Sequence, residues 1–255
     1  MPALPRVVAA QGPFVDLRPK TMKPPFGSVQ INWGHPLAVN IRRVLLFNEG
    51  GGPVRNLVSP REKWSFPSGL TWTVSPTGLA LEGDGTSGES IDTQGTPPPL
   101  NGSAGPWAIL LGFQPTSLAQ TNRYLYTERQ TPAASNQVAI IWEFVNNTVE
   151  FFTNANTGPT GLRTDSGISI SDTASHVIGY SYRGQASEWA KWRDGVKTVI
   201  NASASSTMPT TLTQSALFSS NGGNYAAARL SFFFEWLSTP DFLWLSAEPY
   251  AFLQP

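Results

Sequence analysis

Cysteine is absent from this 255-residue chain, histidine occurs twice, and charged residues make up only 13%. The first absence excludes disulfides and thiolate metal centres, so packing alone must hold the fold. The second leaves His35 and His176, far apart in sequence, too few for a zinc site without other ligands nearby. Lys plus Arg equals Asp plus Glu at 17 each, so no overall field draws the chain toward nucleic acid or an anionic membrane. No apolar run approaches the ~20 residues of a membrane span, and the first ten residues lack the basic start and apolar core of a signal peptide. Synthesis and folding in a cytosol are therefore expected. Asn101-Gly-Ser, Asn146-Asn-Thr and Asn201-Ala-Ser then read as turn chemistry rather than glycosylation acceptors.

What is present is Gly (23), Pro (22) and a large aromatic supply of nine Trp, fourteen Phe and six Tyr. Rings of this number fill the space between two curved sheets, each burying ~150–250 Å². Short apolar runs recur between turn residues, which predicts an all-β sandwich. Trp107, Ile109, Leu111 and Phe113 alternate with Ala108, Leu110 and Gly112, the pattern of a strand buried on both faces. Asp194-Gly195 predicts a hairpin between Trp189–Arg193 and Val196–Ile200, with Val177–Tyr182 beside it. A second hairpin is expected over Val138–Thr153 with a two-residue Asn146-Asn147 turn. That register pairs Phe144 with Val149, Trp142 with Phe151 and Ile140 with Thr153, and sets Glu143 opposite Glu150. After the aromatic strand Arg229–Leu237, Thr239 as cap, Pro240 at the first helical position and Asp241 predict one short helix. Phe242, Leu243, Trp244 and Leu245 give it an apolar face, and Pro249 ends it.

Residues 1–35 are proline-rich and carry isolated Phe14, Phe26, Ile31 and Trp33, which predicts an extended arm ahead of a single domain over 36–255. Phe14, Phe26 and Trp33 are its candidate anchors on its own body or a neighbouring subunit. A first strand over Val29–Trp33 is the alternative for the end of this segment.

Five segments in order, Ile31-Asn-Trp-Gly-His-Pro-Leu37, Leu46-Phe-Asn-Glu-Gly-Gly-Gly52, Trp107-Ala-Ile-Leu-Leu-Gly-Phe113, Trp192-Arg-Asp-Gly195 and Ala247-Glu-Pro-Tyr-Ala-Phe-Leu253, carry a resemblance. The chain resembles the concanavalin A-like, laminin-G-like jelly-roll domains of bacteriophage virion proteins. The resemblance implies a two-sheet antiparallel jelly roll and a virion component: a capsid decoration, head fibre or tail-associated protein. Such a protein is made in the host cytoplasm, is oligomeric with a trimer favoured, contacts other virion proteins and adheres to host surface glycans. Relatives elsewhere on the fold bind sugars or hydrolyse them, so fold alone does not decide function.

The residues themselves disfavour an enzyme. Glu143 stands alone among Ile141, Trp142, Phe144 and Val145, and Glu143 with Glu150 reads more simply as two solvated carboxylates. No nucleophile elbow or phosphate-binding loop occurs, and Arg42-Arg43 with Lys191, Arg193 and Lys197 read as solvated faces. Asp84, Glu89 and Asp92 could serve calcium from one glycine-rich loop, although Gly83-Asp84-Gly85 is more simply a tight turn. No cofactor or metal is assigned. For glycans, Asn221, Asn224 and Tyr225 on a loop and one exposed ring, Trp189 or alternatively Trp192, are the candidate contacts.

Overall fold

The computed structural model describes residues 23–24, 29–62, 64–65, 69–86, 89–93, 98–100, 105–118, 123–130, 137–143, 147–154, 162–163, 167–183, 189–200, 209, 212–218 and 225–254. In chain order the strands are β1 (Gln30–Ile31), β2 (Ile41–Leu45), β3 (Thr71–Ser75), β4 (Gly78–Asp84), β5 (Ile91–Asp92), β6 (Trp107–Pro115), β7 (Arg123–Arg129), β8 (Gln137–Glu143) and β9 (Thr148–Asn154). They continue with β10 (Leu162–Arg163), β11 (Ile168–Ser169), β12 (His176–Tyr182), β13 (Trp189–Arg193), β14 (Val196–Ile200), β15 (Gln214–Leu217), β16 (Ala227–Trp236) and, after helix α1 (Phe242–Ala247), β17 (Leu253–Gln254). All pairing is antiparallel. One sheet runs β10-β9-β8-β7-β15-β5 with β11 on β9, and the other runs β14-β13-β12-β6-β16-β4-β3 with β2 on β16. The two face each other as a jelly-roll-type sandwich.

Alternation along β6 serves two cores at once. Trp107, Ile109, Leu111 and Phe113 point between the sheets, where Trp107 stacks on Phe151 of the opposite sheet at 4.7 Å, while Ala108 and Leu110 point outward. The outward side chains are covered by a third layer made from α1, the β1–β17 pair and a 3-10 turn at Pro36–Ala38. Between Leu230 and Phe232, Ser231 is the extra residue of a bulge against β6. A side chain at the facing Gly112 would collide with Ser231 and lie 2.6 Å from the Phe232 ring, so this position needs glycine.

The Asp194-Gly195 hairpin forms with the expected strands, both turn residues at positive φ (47° and 87°). The β8–β9 hairpin differs from expectation in register. Trp142 pairs with Val149, Ile140 with Phe151 and Glu143 with Thr148, a shift of two residues that follows from a longer connection ending in left-handed Asn147 (φ 48°). Because side chains alternate with period two, Ile140, Trp142, Val149 and Phe151 stay in the core despite the shift. Glu150 faces Ile141 instead, so Glu143 and Glu150 are not a directly opposed pair. Helix α1 starts two residues later than expected: the Asp241 carbonyl accepts from Leu245 N–H at 3.0 Å, placing Asp241 at the cap. Ser238 Oγ and Leu237 N–H bond the Val39 and Asn40 carbonyls, which keeps the chain extended further, and Phe242 then stacks on Trp192 at 4.9 Å. Leu243, expected on the packed face, is exposed.

Within the proline-rich leader, Lys23 and Pro24 dock on the body. Lys23 Nζ donates to the carbonyls of Phe47 (3.1 Å) and Leu79, and Asn48 Nδ2 donates to the Pro24 carbonyl (3.2 Å). Gln30 and Ile31 pair with Gln254 and Leu253, a shorter strand than Val29–Trp33. Phe14 and Phe26 lie outside the described residues.

One guanidinium joins the two sheets. Arg43 of β2 is fully buried; its Nε donates to Glu62 Oε1 at 2.8 Å, and its Nη1 reaches Tyr126 Oη (2.8 Å), Ser215 Oγ (2.8 Å), Glu235 Oε2 (3.3 Å) and Glu128 Oε1 (3.4 Å). Glu235 is its cross-strand partner on β16, whereas Tyr126, Glu128 and Ser215 come from the opposite sheet. The assignment of Arg43 to a solvated face is thus corrected: it lies on the same face of β2 as core residue Leu45. Burial opposes the charge of Arg43, but Tyr126, Glu235, Glu62 and Glu128 outweigh it and hold the guanidinium protonated. Three carboxyls around one cation leave an excess of negative charge. Burial and the Glu128 carboxylate push Glu235 well above the usual range, and burial raises Glu128 against the pull of Arg43.

Three outcomes are expected. Arg43→Met, which strands buried carboxyls, should destabilise the fold by about 3–5 kcal/mol in denaturant unfolding. A raised carboxyl means that the folded state binds more protons, so the contribution of Glu235 is fully present below its ordinary value of 4.5 and is lost as pH rises through the raised folded value. Glu235→Gln, which fixes the neutral form, should therefore gain thermal stability relative to wild type on going from about pH 5 to about pH 8; a difference independent of pH would contradict this. Lys23 has the opposite sign, since burial lowers it from 10.5 to about 7. Its unfavourable charge burial is felt in full below about 7 and relieved by 10.5, so wild type should gain stability over Lys23→Met across that window.

Candidate functional site

A cavity of about 970 Å³ opens between the segment entering the fold and the loop that follows β2. This size suits a small-molecule or oligomeric ligand. One wall is Val29–Ile31 with Trp33, the other Pro53–Leu57, and Glu62, Trp64 and Ser65 close the base.

The first wall is positioned by the C-terminus. β1 lies on β17, and Asn32 N–H donates to the Phe252 carbonyl at 2.9 Å. Ile31 is buried in the outer core, which turns Gln30 to solvent by simple alternation. Asn32 Oδ1 accepts from Gly34 N–H (3.1 Å), and His35 Nδ1 accepts from Leu37 N–H (3.2 Å) to cap the short 3-10 turn. Trp33, at the tip between these local bonds, is 61% exposed, whereas seven of the other tryptophans with described side chains are buried or partly buried in core contacts.

Asn56 organises the second wall. Its Oδ1 accepts from Val44 N–H (3.1 Å) and Val58 N–H (3.0 Å), while Nδ2 donates to Glu62 Oε2 (2.9 Å) and the Arg42 carbonyl (3.3 Å). Glu62 is therefore held on both oxygens, by Arg43 on one and Asn56 on the other. Trp64 lies beneath, with the Arg43 guanidinium 5.3 Å from its ring, and its indole N–H has no partner among the described residues. Arg55 is exposed at the rim, and its backbone N–H donates to Glu49 Oε1 at 3.0 Å. The cavity thus combines an open indole face, amide groups, an exposed guanidinium and one carboxylate already saturated by hydrogen bonds.

Residues expected from sequence to form sites are dispersed. Trp189 is 2% exposed and packs against Trp107 (5.2 Å), Phe151 (5.6 Å) and Tyr182 (5.0 Å), so it is a core ring and not a glycan contact. Trp192 is likewise buried. Tyr225 is half-buried beside Gly85, and Asn221 and Asn224 lie outside the described residues. In the glycine-rich loop, Glu89 is buried and accepts from the N–H groups of Asp84 (2.7 Å) and Gly85 (2.8 Å), with burial pushing it up to about 7. Asp92 turns instead to Arg129 at 3.5 Å, so the three acids do not converge. No group of three metal-ligating side chains occurs among the described residues. His176 sits between Asp194 (2.7 Å) and Asp172 (3.0 Å), both ring nitrogens engaged. Of the anticipated residues, only Trp33 lines the cavity. Arg55, Asn56, Glu62 and Trp64 lie outside the sequence expectations, and residues 53–65, with Pro53, Pro60 and one aromatic, carry no periodic pattern that would mark them.

No helix among the described residues is long and apolar enough to cross a membrane. No family model and no curated protein matches the chain. Solved structures do resemble it in fold. The binding domain of Paraclostridial Mosquitocidal Protein 1 superposes with a TM-score of 0.59 at 12% identity, over 83% of this chain and 52% of that one. Domain 4 of AbnA, a GH43 extracellular arabinanase from Geobacillus stearothermophilus in complex with arabinotriose, gives 0.54 at 12% identity, over 86% and 87%. Trypanosoma rangeli sialidase gives 0.55 at 8% identity, over 83% of this chain and 32% of that one. The chain spans about half of the first of these and a third of the last. At such identities the likeness shows a shared β-sandwich fold.

Proposed function

We propose that this chain is a non-catalytic carbohydrate-binding β-sandwich whose site is the cavity between Trp33 and Glu62. The observation that carries the reading is the exposed indole of Trp33 at the mouth of a roomy cavity that also presents Gln30, Arg55 and Ser65. A pyranose or furanose offers an apolar face of C–H groups to an indole and a rim of hydroxyls to amides and charged groups, so ring and polar groups together match a saccharide. Binding is favoured over hydrolysis because the described lining holds one carboxylate, with both oxygens engaged, where glycoside hydrolysis commonly needs two placed across the scissile bond. The fold neighbours support the same direction, one being an arabinanase domain bound to arabinotriose.

The virion setting implied by the resemblance to phage proteins is a compatible extension, in which such a domain would adhere to surface glycans. Its oligomeric assembly through Phe14, Phe26 and Trp33 is a further part of that proposal. If Trp33 instead stacks on sugar, the arm contributes to recognition rather than to subunit contact.

Screening the intact protein on a glycan array, followed by titration calorimetry on the best ligand, tests the reading. Trp33→Ala should weaken binding at least about tenfold, about 1.4 kcal/mol, without lowering Tm, because the ring is exposed. Unaltered affinity in this variant would place the ligand elsewhere.

A further inference from the structure

We propose that the saccharide bound in this cavity is acidic, its carboxylate or sulfate group received by Arg55 while its ring lies on Trp33. This inference rests on the carbohydrate-binding reading and narrows it. Arg55 lines the cavity, is exposed, and its guanidinium has no ion-pair or hydrogen-bond partner among the described residues. Arginine on an ordinary strand face commonly finds a carboxylate; here Arg229 takes Glu82 at 2.8 Å and Arg129 takes Asp92 at 3.5 Å. Neither nearby acid pairs with the Arg55 guanidinium among the described residues. Glu62 is held by Arg43 and Asn56, and Glu49 Oε1 accepts the backbone N–H of Arg55.

On the same stretch the exposed charges are cationic, with Glu49 half-buried beside them. Arg42, whose carbonyl accepts from Asn56, and Arg61, next to Glu62, are both exposed and adjoin the lining in sequence, while the lining acid Glu62 faces Arg43. A neutral glycan would leave this excess unused. A planar guanidinium fork fits a carboxylate or sulfate with two parallel hydrogen bonds, and the indole beside it fits the attached ring.

Native affinity electrophoresis of the full chain provides the test, with polygalacturonate as the carboxylate probe, dextran sulfate as the sulfate probe, and arabinan and dextran as neutral probes. At low salt one acidic polymer should retard wild type at least about tenfold more strongly than either neutral polymer, and the better of the two identifies the acid group. Retardation should fall when salt is raised toward about 0.5 M, since an exposed ion pair is screened. Arg55→Gln should lose most of the acidic preference and Arg55→Lys part of it, whereas Lys197→Gln, which removes an exposed cation elsewhere on the surface, should change nothing. Equal retardation by neutral polymers, abolished by Trp33→Ala but indifferent to Arg55→Gln, would overturn the acidic class and leave carbohydrate binding standing. Retention equally reduced by Lys197→Gln and Arg55→Gln would reveal diffuse charge attraction and also overturn it. No retardation by any polymer would overturn both readings.

Discussion

The burial of one arginine fixes how the two sheets meet and where the base of the cavity lies. Arg43 binds acceptors from both sheets and from the 61–65 segment at once, so displacing any of those parts would leave ionised or hydrogen-bonding groups unpaired in the interior. A buried charge cluster of this kind adds little net stability over a well-packed apolar core. Its effect is on geometry: the sheets can meet in one arrangement that satisfies the guanidinium. Glu62 is part of that arrangement, and through Glu62 the cluster fixes Asn56 and the base of the cavity.

The other wall depends on a different physical cause. Outward-facing apolar side chains on β6, β13 and β16 need cover, and the chain supplies it by bringing its last segment back across the sheet as α1 and β17. Once β17 is in place it offers an edge to β1, and the short β1 strand delivers Trp33 to the cavity mouth. The hydrophobic demand of the outer core thus positions a solvent-exposed ring. Cluster and outer core act on opposite walls, and the cavity is the space left between them.

Much of the sandwich was legible because local signals agreed with its global pattern. The alternation in β6 and the Asp194-Gly195 turn each had one physical solution, and the closing helix was legible in its existence, though not in its first residue. The β8–β9 register was not legible, since alternation constrains it only to even shifts and the turn at Asn147 decides among them. Arg43 was hidden by its neighbour, the pair Arg42-Arg43 reading as surface when the two side chains in fact go to opposite faces. A clue was available in Phe-Phe-Phe-Glu235-Trp, where a carboxyl within a strand buried on both faces demands a buried cation or a proton. The cavity was the least accessible, because its walls come from segments whose approach is set by tertiary contacts with residues about 200 positions later. Trp33 was noticed as an anchor, yet no local pattern says whether an isolated ring will be covered or left open.

Trp33 at the mouth of the cavity and Trp64, a core ring exposed only at its base, are the two indoles on the proposed site, while the other tryptophans with described side chains lie in core contacts. The indole N–H signals in a nitrogen–proton correlation spectrum of the labelled protein, assigned by single substitutions and followed during titration with an oligosaccharide, test this directly. Trp33 and Trp64 should move while Trp107, Trp142 and Trp189, buried between the sheets, stay fixed. Shifts confined to the core indoles, with Trp33 and Trp64 unmoved, would contradict it.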